Sequence, residues 1–142
     1  MGLITDIAGA VVLELNAQSF TPPFTAVRHY RPEFDLAQLK TLRVSVVPRS
    51  IAIVSLGRSL NQHDVSVDVA VQAKIDAAST DDLDELMGLV EQIAEFFRLR
   101  RLTQVPSAVW QRTENSPIYS PEHLERHGVF TSILTLTFRV VR

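Results

Sequence analysis

The chain has 142 residues, the usual size of one compact domain, so a single domain spanning residues 1–142 is expected. Hydrophobic residues make up 46% and charged residues 21%, ordinary globular usage that excludes a disordered or low-complexity role. Fourteen Lys and Arg against sixteen Asp and Glu give a formal net charge of −2, which argues against a protein whose main work is neutralising nucleic-acid phosphates or anionic lipid. The absence of cysteine removes disulfides, thiolate metal sites and cysteine nucleophiles together, and suits a reducing compartment.

The start carries no secretory pattern, because Met1 to Ile4 lacks a basic region and Asp6 and Glu14 interrupt the apolar residues that follow. Every apolar run is broken by charge or proline before the roughly 20 residues of a membrane helix, so no membrane span is expected. Ile4, Ile7, Ala8, Val11, Val12 and Leu15 recur at the spacing of one helix face. This helix should begin near Thr5 or Asp6 and end before Pro22 and Pro23, which push the preceding residue to extended geometry. A short strand is expected over Phe24 to Tyr30, and after Pro32 one or two helical turns capped by Asp35 and ending at Leu39.

Thr41 to Val47 alternates Leu42, Val44 and Val46 against Arg43 and Ser45, a strand that Pro48 closes at a sheet edge or turn. Ile51 to Leu56 reads as a second short strand, and Gly57 to Asp64 as the hairpin tip that follows it. Val65, Val67, Val69, Val71, Ala73 and Ile75 then alternate with Ser66, Asp68, Gln72 and Lys74, the period-2 signature of a strand buried on one face. Ser79 and Thr80 precede Asp81, Asp82, Asp84 and Glu85, side chains that cap free amides and match the positive end of a helix dipole. Leu83, Leu86, Met87, Val90, Ile93, Ala94 and Phe97 form that helix's apolar face. Ala108 to Thr113 reads as a strand. Ser120 is an N-cap with Pro121 at the first helical position, and this turn runs through His127 and stops at Gly128. Val129 to Val141 is the closing strand, with Phe130, Leu134, Leu136, Phe138 and Val140 opposite Thr131, Thr135, Thr137 and Arg139.

The order α-β-(α)-β-β-β-α-β-(α)-β defines an α+β fold: a largely antiparallel mixed sheet with two main helices packed on one face. The threonines of the last strand beside Ser66, Asp68 and Gln72 should form a polar, solvent-facing outer surface. Motifs for chemistry are missing. His123 and His127 have metal-like spacing, but Leu124 stands where a zinc-protease helix needs its glutamate. His63 with Asp64 and Asp68 reads as turn and solvent-face polarity. Ser55-Leu56-Gly57 is no nucleophile elbow, and the five glycines are too dispersed to cradle a phosphate. Capping already accounts for the acidic run at Asp81. Neither an enzyme nor a cofactor is expected. Arg98, Arg100 and Arg101 admit two readings, a basic patch for nucleic acid or an acidic partner and the ordinary charge preference of a helix end.

Four stretches taken together, "TLRVSVVPRS" (Thr41 to Ser50), "DVSVDVAVQAKI" (Asp64 to Ile75), "LDELMGLVEQIAEFF" (Leu83 to Phe97) and "VFTSILTLTFRVVR" (Val129 to Arg142), cover most of the chain. In this order, with a short Trp110-containing strand between the last two, they resemble the tail terminator (tail-completion, minor tail) proteins of long-tailed bacteriophages and prophages. The resemblance implies a structural virion protein without catalysis: a hexameric homo-oligomeric ring that docks on the last ring of the tail tube protein, halts tube polymerisation and offers a surface to the head-tail connector protein. DNA would pass through the ring without sequence-specific binding. The location implied is the virion tail, after assembly in the host bacterial cytoplasm. For the ring and tube interfaces, Arg49, Arg58 and His63 in the segment Arg49 to Asp64, and Tyr119 in the loop Glu114 to Ser120, are the candidates, on opposite sides of the subunit. A head-completion or connector-side neck protein, and a small ligand-binding module or enzyme with a pocket near His63 or His127, are the alternative readings.

Overall fold

The computed structural model describes residues 2–30, 42–75 and 80–142, with only the backbone of His127. Its elements are α1 (Leu3–Ala17), β1 (Ala26–Arg28), β2 (Arg43–Ser55), β3 (Asn61–Lys74), α2 (Thr80–Phe97), β4 (Val109–Glu114), α3 (Pro121–His127) and β5 (Val129–Val141). The fold is α+β as the sequence implies. The turn expected over Asp35 to Leu39 lies outside the described residues. The five strands lie in the order β1-β2-β3-β5-β4. Among the described residues only the β1–β2 pair is parallel; the other three pairs are antiparallel.

Alternation in β3 sets the two faces. Val65, Val67, Val69 and Val71 join Val44 and Val46 of β2 and Phe130, Leu134, Leu136 and Phe138 of β5 in one core with Ile7, Val11 and Leu15 of α1 and Leu89, Ile93 and Phe97 of α2. Both main helices therefore cover the same face. α1 starts two or three residues earlier than the sequence suggests, with Gly2 as N-cap and no side-chain cap, and its buried face includes Glu14.

The structure differs from the sequence reading at Pro48. Thr41 to Val47 and Ile51 to Leu56 are not two strands, because β2 runs on through the proline with a register shift between Pro48 and Ser50. The three-residue β1 ends opposite Val46, so among the described residues no strand flanks β2 on that side from Pro48 onward, where a missing amide donor is tolerated and a bulge absorbs Arg49. The hairpin tip is correspondingly short. Leu56 N–H donates to the Leu60 carbonyl, and Gln62, His63 and Asp64 belong to β3, opposite Val54, Ile53 and Ala52.

α3 follows the capping logic closely. The Ser120 hydroxyl accepts from His123 N–H at 3.3 Å, and Gly128 closes the helix in the left-handed region at φ 62°, where a side chain would be strained. Substitution Ser120→Ala is expected to cost about 1 kcal/mol. Thermal denaturation measures this directly, and an unchanged melting temperature would exclude a role for the cap in stability.

Candidate assembly surface

The second face of the sheet is polar, but it is not the open wet surface expected. Ser66, Gln72, Thr131 and Thr137 are all buried, Gln72 to 1% exposure. The Ser66 and Thr137 hydroxyls bond each other at 2.9 Å, and His123 Nδ1 meets the Thr131 hydroxyl at 2.9 Å where α3 lies against β5. Arg112 and Glu114 pair along β4 at 3.0 Å, and two further ion pairs on this face cross between strands. Arg139 clasps Asp64 with two hydrogen bonds of 2.9 and 3.1 Å, which hold the Asp64 carboxyl below its usual range despite partial burial. Asp68 accepts from the Thr135 hydroxyl at 2.7 Å and from Arg49 at 3.1 Å.

Arg49 on β2 and the loop Glu114 to Ser120 after β4 lie at opposite ends of one cavity on the polar face. The cavity measures about 520 Å³; its floor is Thr131, Ile133 and Thr135 and its rim includes Glu122 and His123. Tyr119 is half-buried at the end of this loop, its ring stacked 6.1 Å from Phe130. Arg58 sits apart, exposed at the hairpin tip. His63 is buried on the helix-covered face beside Ile53 and Val140, and its Nδ1 has no hydrogen-bond partner among the described residues.

The three arginines after α2 are not one patch. Arg98 pairs with Glu95 at 3.3 Å and stays exposed, and Arg101 donates to the Pro106 carbonyl at 3.0 Å. Arg100 turns inward: it lies 3.9 Å over the Phe96 ring and 3.5 Å from the Glu14 carboxylate. Among the described residues no cluster of His, Asp and Glu is arranged to hold a metal, and no helix is long and apolar enough to cross a membrane.

Within the segment Arg49 to Asp64, where the sequence reading singles out Arg49, Arg58 and His63, the outer half of the β2–β3 hairpin also presents apolar side chains. Every residue from Arg49 to Asn61 is exposed, including Ile51, Ile53 (59%), Val54, Leu56 and Leu60. The stretch Ser50 to Gly57 contains no charge and no proline. That uncharged run is the signal in the sequence for these apolar side chains.

Comparison with known proteins bears on the fold. No protein-family model and no curated protein matches the sequence. A solved structure described as the sheath/tube terminator, in the extended state, of PVC, an extracellular contractile injection system, is similar over 100% of this chain, with a TM-score of 0.53 and 13% identity. The chain spans 57% of that protein's length. The arrangement of helices and strands described above is thus shared with part of that protein.

Proposed function

We propose that this chain is a structural terminator of a tail-type tube. In this reading copies associate side by side into a ring, hexameric in the family that the sequence resembles. The ring seats on the last ring of the tube protein, stops tube growth, and offers its other surface to the head connector where the particle has a head. DNA passes through the ring without sequence-specific contact, in keeping with the mild net charge of −2. Catalysis plays no part. The observation that carries the proposal is the likeness to a sheath/tube terminator over the whole chain. Arg49, Arg58 and Tyr119 are proposed to lie at the ring or tube contacts, with His63 supporting the hairpin from its buried side, and Arg98 and Arg101 remain the exposed cations available to an acidic partner.

Deleting the gene from the phage, prophage or injection particle that encodes it, and measuring tube length by electron microscopy, tests this reading. Over-long tubes are the expected result. Tubes of normal length left without heads would move the protein to the connector side of the joint, and intact normal particles would rule out an assembly role.

A further inference from the structure

Among the described residues the outer half of β2 is an unpaired edge. No described strand pairs with it beyond Val46 on the side away from β3, so every second residue from Ser50 to Ser55 turns its amide and carbonyl outward, away from β3. Folded proteins blunt such edges with charge, proline or a covering element, and a β-prone, uncharged window of this length left bare is a pairing template. Ile51 and Ile53 project from the helix-covered face and Val54 from the polar face, following the pairing with Val65, His63 and Gln62. An edge with apolar side chains on both faces suits a strand partner better than a flat patch.

The opposite edge of the sheet supplies one. β4 is the terminal strand there; its outer side is occupied at Val109 and Trp110 by the segment at Arg100 and Arg101, and no described strand covers Arg112 to Glu114. Beside it on the helix-covered face lies a cavity of about 280 Å³ lined by Val90, Ala94, Trp110, Thr113 and Leu134, of a size to receive a branched aliphatic side chain. The polar face adds polarity of charge: one row of side chains crosses the sheet as Arg49, Asp68, Thr135, Glu114. It begins in a cation at the β2 edge and ends in an anion at the β4 edge.

We infer that β2 of one copy adds to β4 of a second copy, joining the sheets edge to edge. Strand directions decide the geometry. β2 runs antiparallel to β3, β3 to β5 and β5 to β4, so a neighbouring copy in the same orientation presents its β2 antiparallel to β4. Matching faces, Ser50 lies opposite Glu114, Ile51 opposite Thr113 and beside the Trp110 cavity, and Ala52 opposite Arg112; Arg49 then reaches the Glu114 carboxylate. This contact is heterologous, and rotation rather than translation between copies closes it into a ring. All hairpin tips then point the same way, giving one rim of Leu56, Arg58 and Leu60 and an opposite rim carrying the exposed Asp81, Asp84 and Glu85 at the start of α2. The inference deepens the ring reading above by naming the surfaces that meet, and it can succeed or fail separately from tube capping.

Because the chain contains no cysteine, a double variant Ala52→Cys with Arg112→Cys reports the contact cleanly. Within one chain these positions are separated by three strand spacings, about 14 Å, too far for a disulfide. Oxidation, on the purified full chain and in cells assembling the particle, is expected to give a covalent ladder of oligomers only when both cysteines are present. Adding Ile53→Lys, at an exposed position that leaves the fold intact, should abolish that ladder without lowering the melting temperature. Equal cross-linking by Ala52→Cys alone would overturn the inference in favour of a β2–β2 contact, and absence of a ladder in both settings would overturn it outright. A ladder with normal tube length in the deletion strain would keep the edge pairing and discard tube capping; over-long tubes without a ladder would do the reverse.

Discussion

Phe97→Ala is expected to destabilise the fold by about 3–5 kcal/mol, a large part of the total stability of a domain this size. Phe97 is the last residue of α2 and fully buried. Its ring meets Phe138 of β5 edge-on at 6.3 Å and Phe96 at 5.0 Å, so it is the point where the long helix is fixed to the sheet. Removing it forfeits the transferred apolar area and leaves a cavity that β5, hydrogen-bonded on both sides by β3 and β4, cannot move to fill. At about 3 °C per kcal/mol for a chain of this length, the melting temperature should fall by about 10 °C or more. Phe97→Leu retains most of the volume and should cost less than half as much. Ile53→Ala, on the exposed hairpin, should stay within about 0.5 kcal/mol of wild type. If Phe97→Ala lost no more stability than Ile53→Ala, the described core would be wrong.

That contrast between Phe97 and Ile53 also marks where sequence ceases to be informative. The alternation of β3, the apolar stripe of α2 and the Ser120-Pro121-Gly128 frame of α3 are local patterns, and local physics alone identifies those elements, although β3 starts four residues before its alternating apolar run, at Asn61. Pro48 behaves differently: whether it ends a strand depends on how far β1 extends, and β1 stops after three residues opposite Val46. The polar face misleads for the same reason. Gln72 and Thr131 carry side chains ordinary for a wet surface, and only the tertiary structure makes them buried. Candidate contact residues are the least legible of all. Arg98, Arg100 and Arg101 are equivalent by composition, yet the third dimension sends Arg100 inward to Glu14. Likewise Ile51 and Ile53 look like core residues until the helices and β1 are seen to end short of them.

The inward turn of Arg100 gives the second large effect, which depends on pH. Glu14 lies on the apolar face of α1 and is buried to 8% exposure. One carboxylate oxygen accepts from Thr103 N–H at 2.9 Å and the other lies 3.5 Å from Arg100 Nη1, tying α1 to the segment that leaves α2. Burial disfavours the carboxylate, but the Thr103 hydrogen bond and the Arg100 charge together outweigh it and hold the Glu14 pKa below its ordinary value. The sign follows from that depression. Folding favours the ionised form, so the contribution is present at neutral pH, begins to fade as pH falls into the ordinary carboxylate range, and is gone below the folded-state pKa. Glu14→Ala, which leaves the Thr103 amide and the part-buried guanidinium without this acceptor, should cost about 3 kcal/mol at neutral pH. Glu14→Gln keeps the shape and an acceptor oxygen and should cost about 1 kcal/mol. The gap between wild type and Glu14→Gln should narrow as denaturation is repeated from about pH 7 down through the ordinary carboxylate range and below it, because the wild-type side chain progressively takes up a proton and loses the charge that Gln lacks. A gap that stays constant across that range would mean the charge on Glu14 contributes nothing and that the clasp between α1 and Arg100 is packing alone.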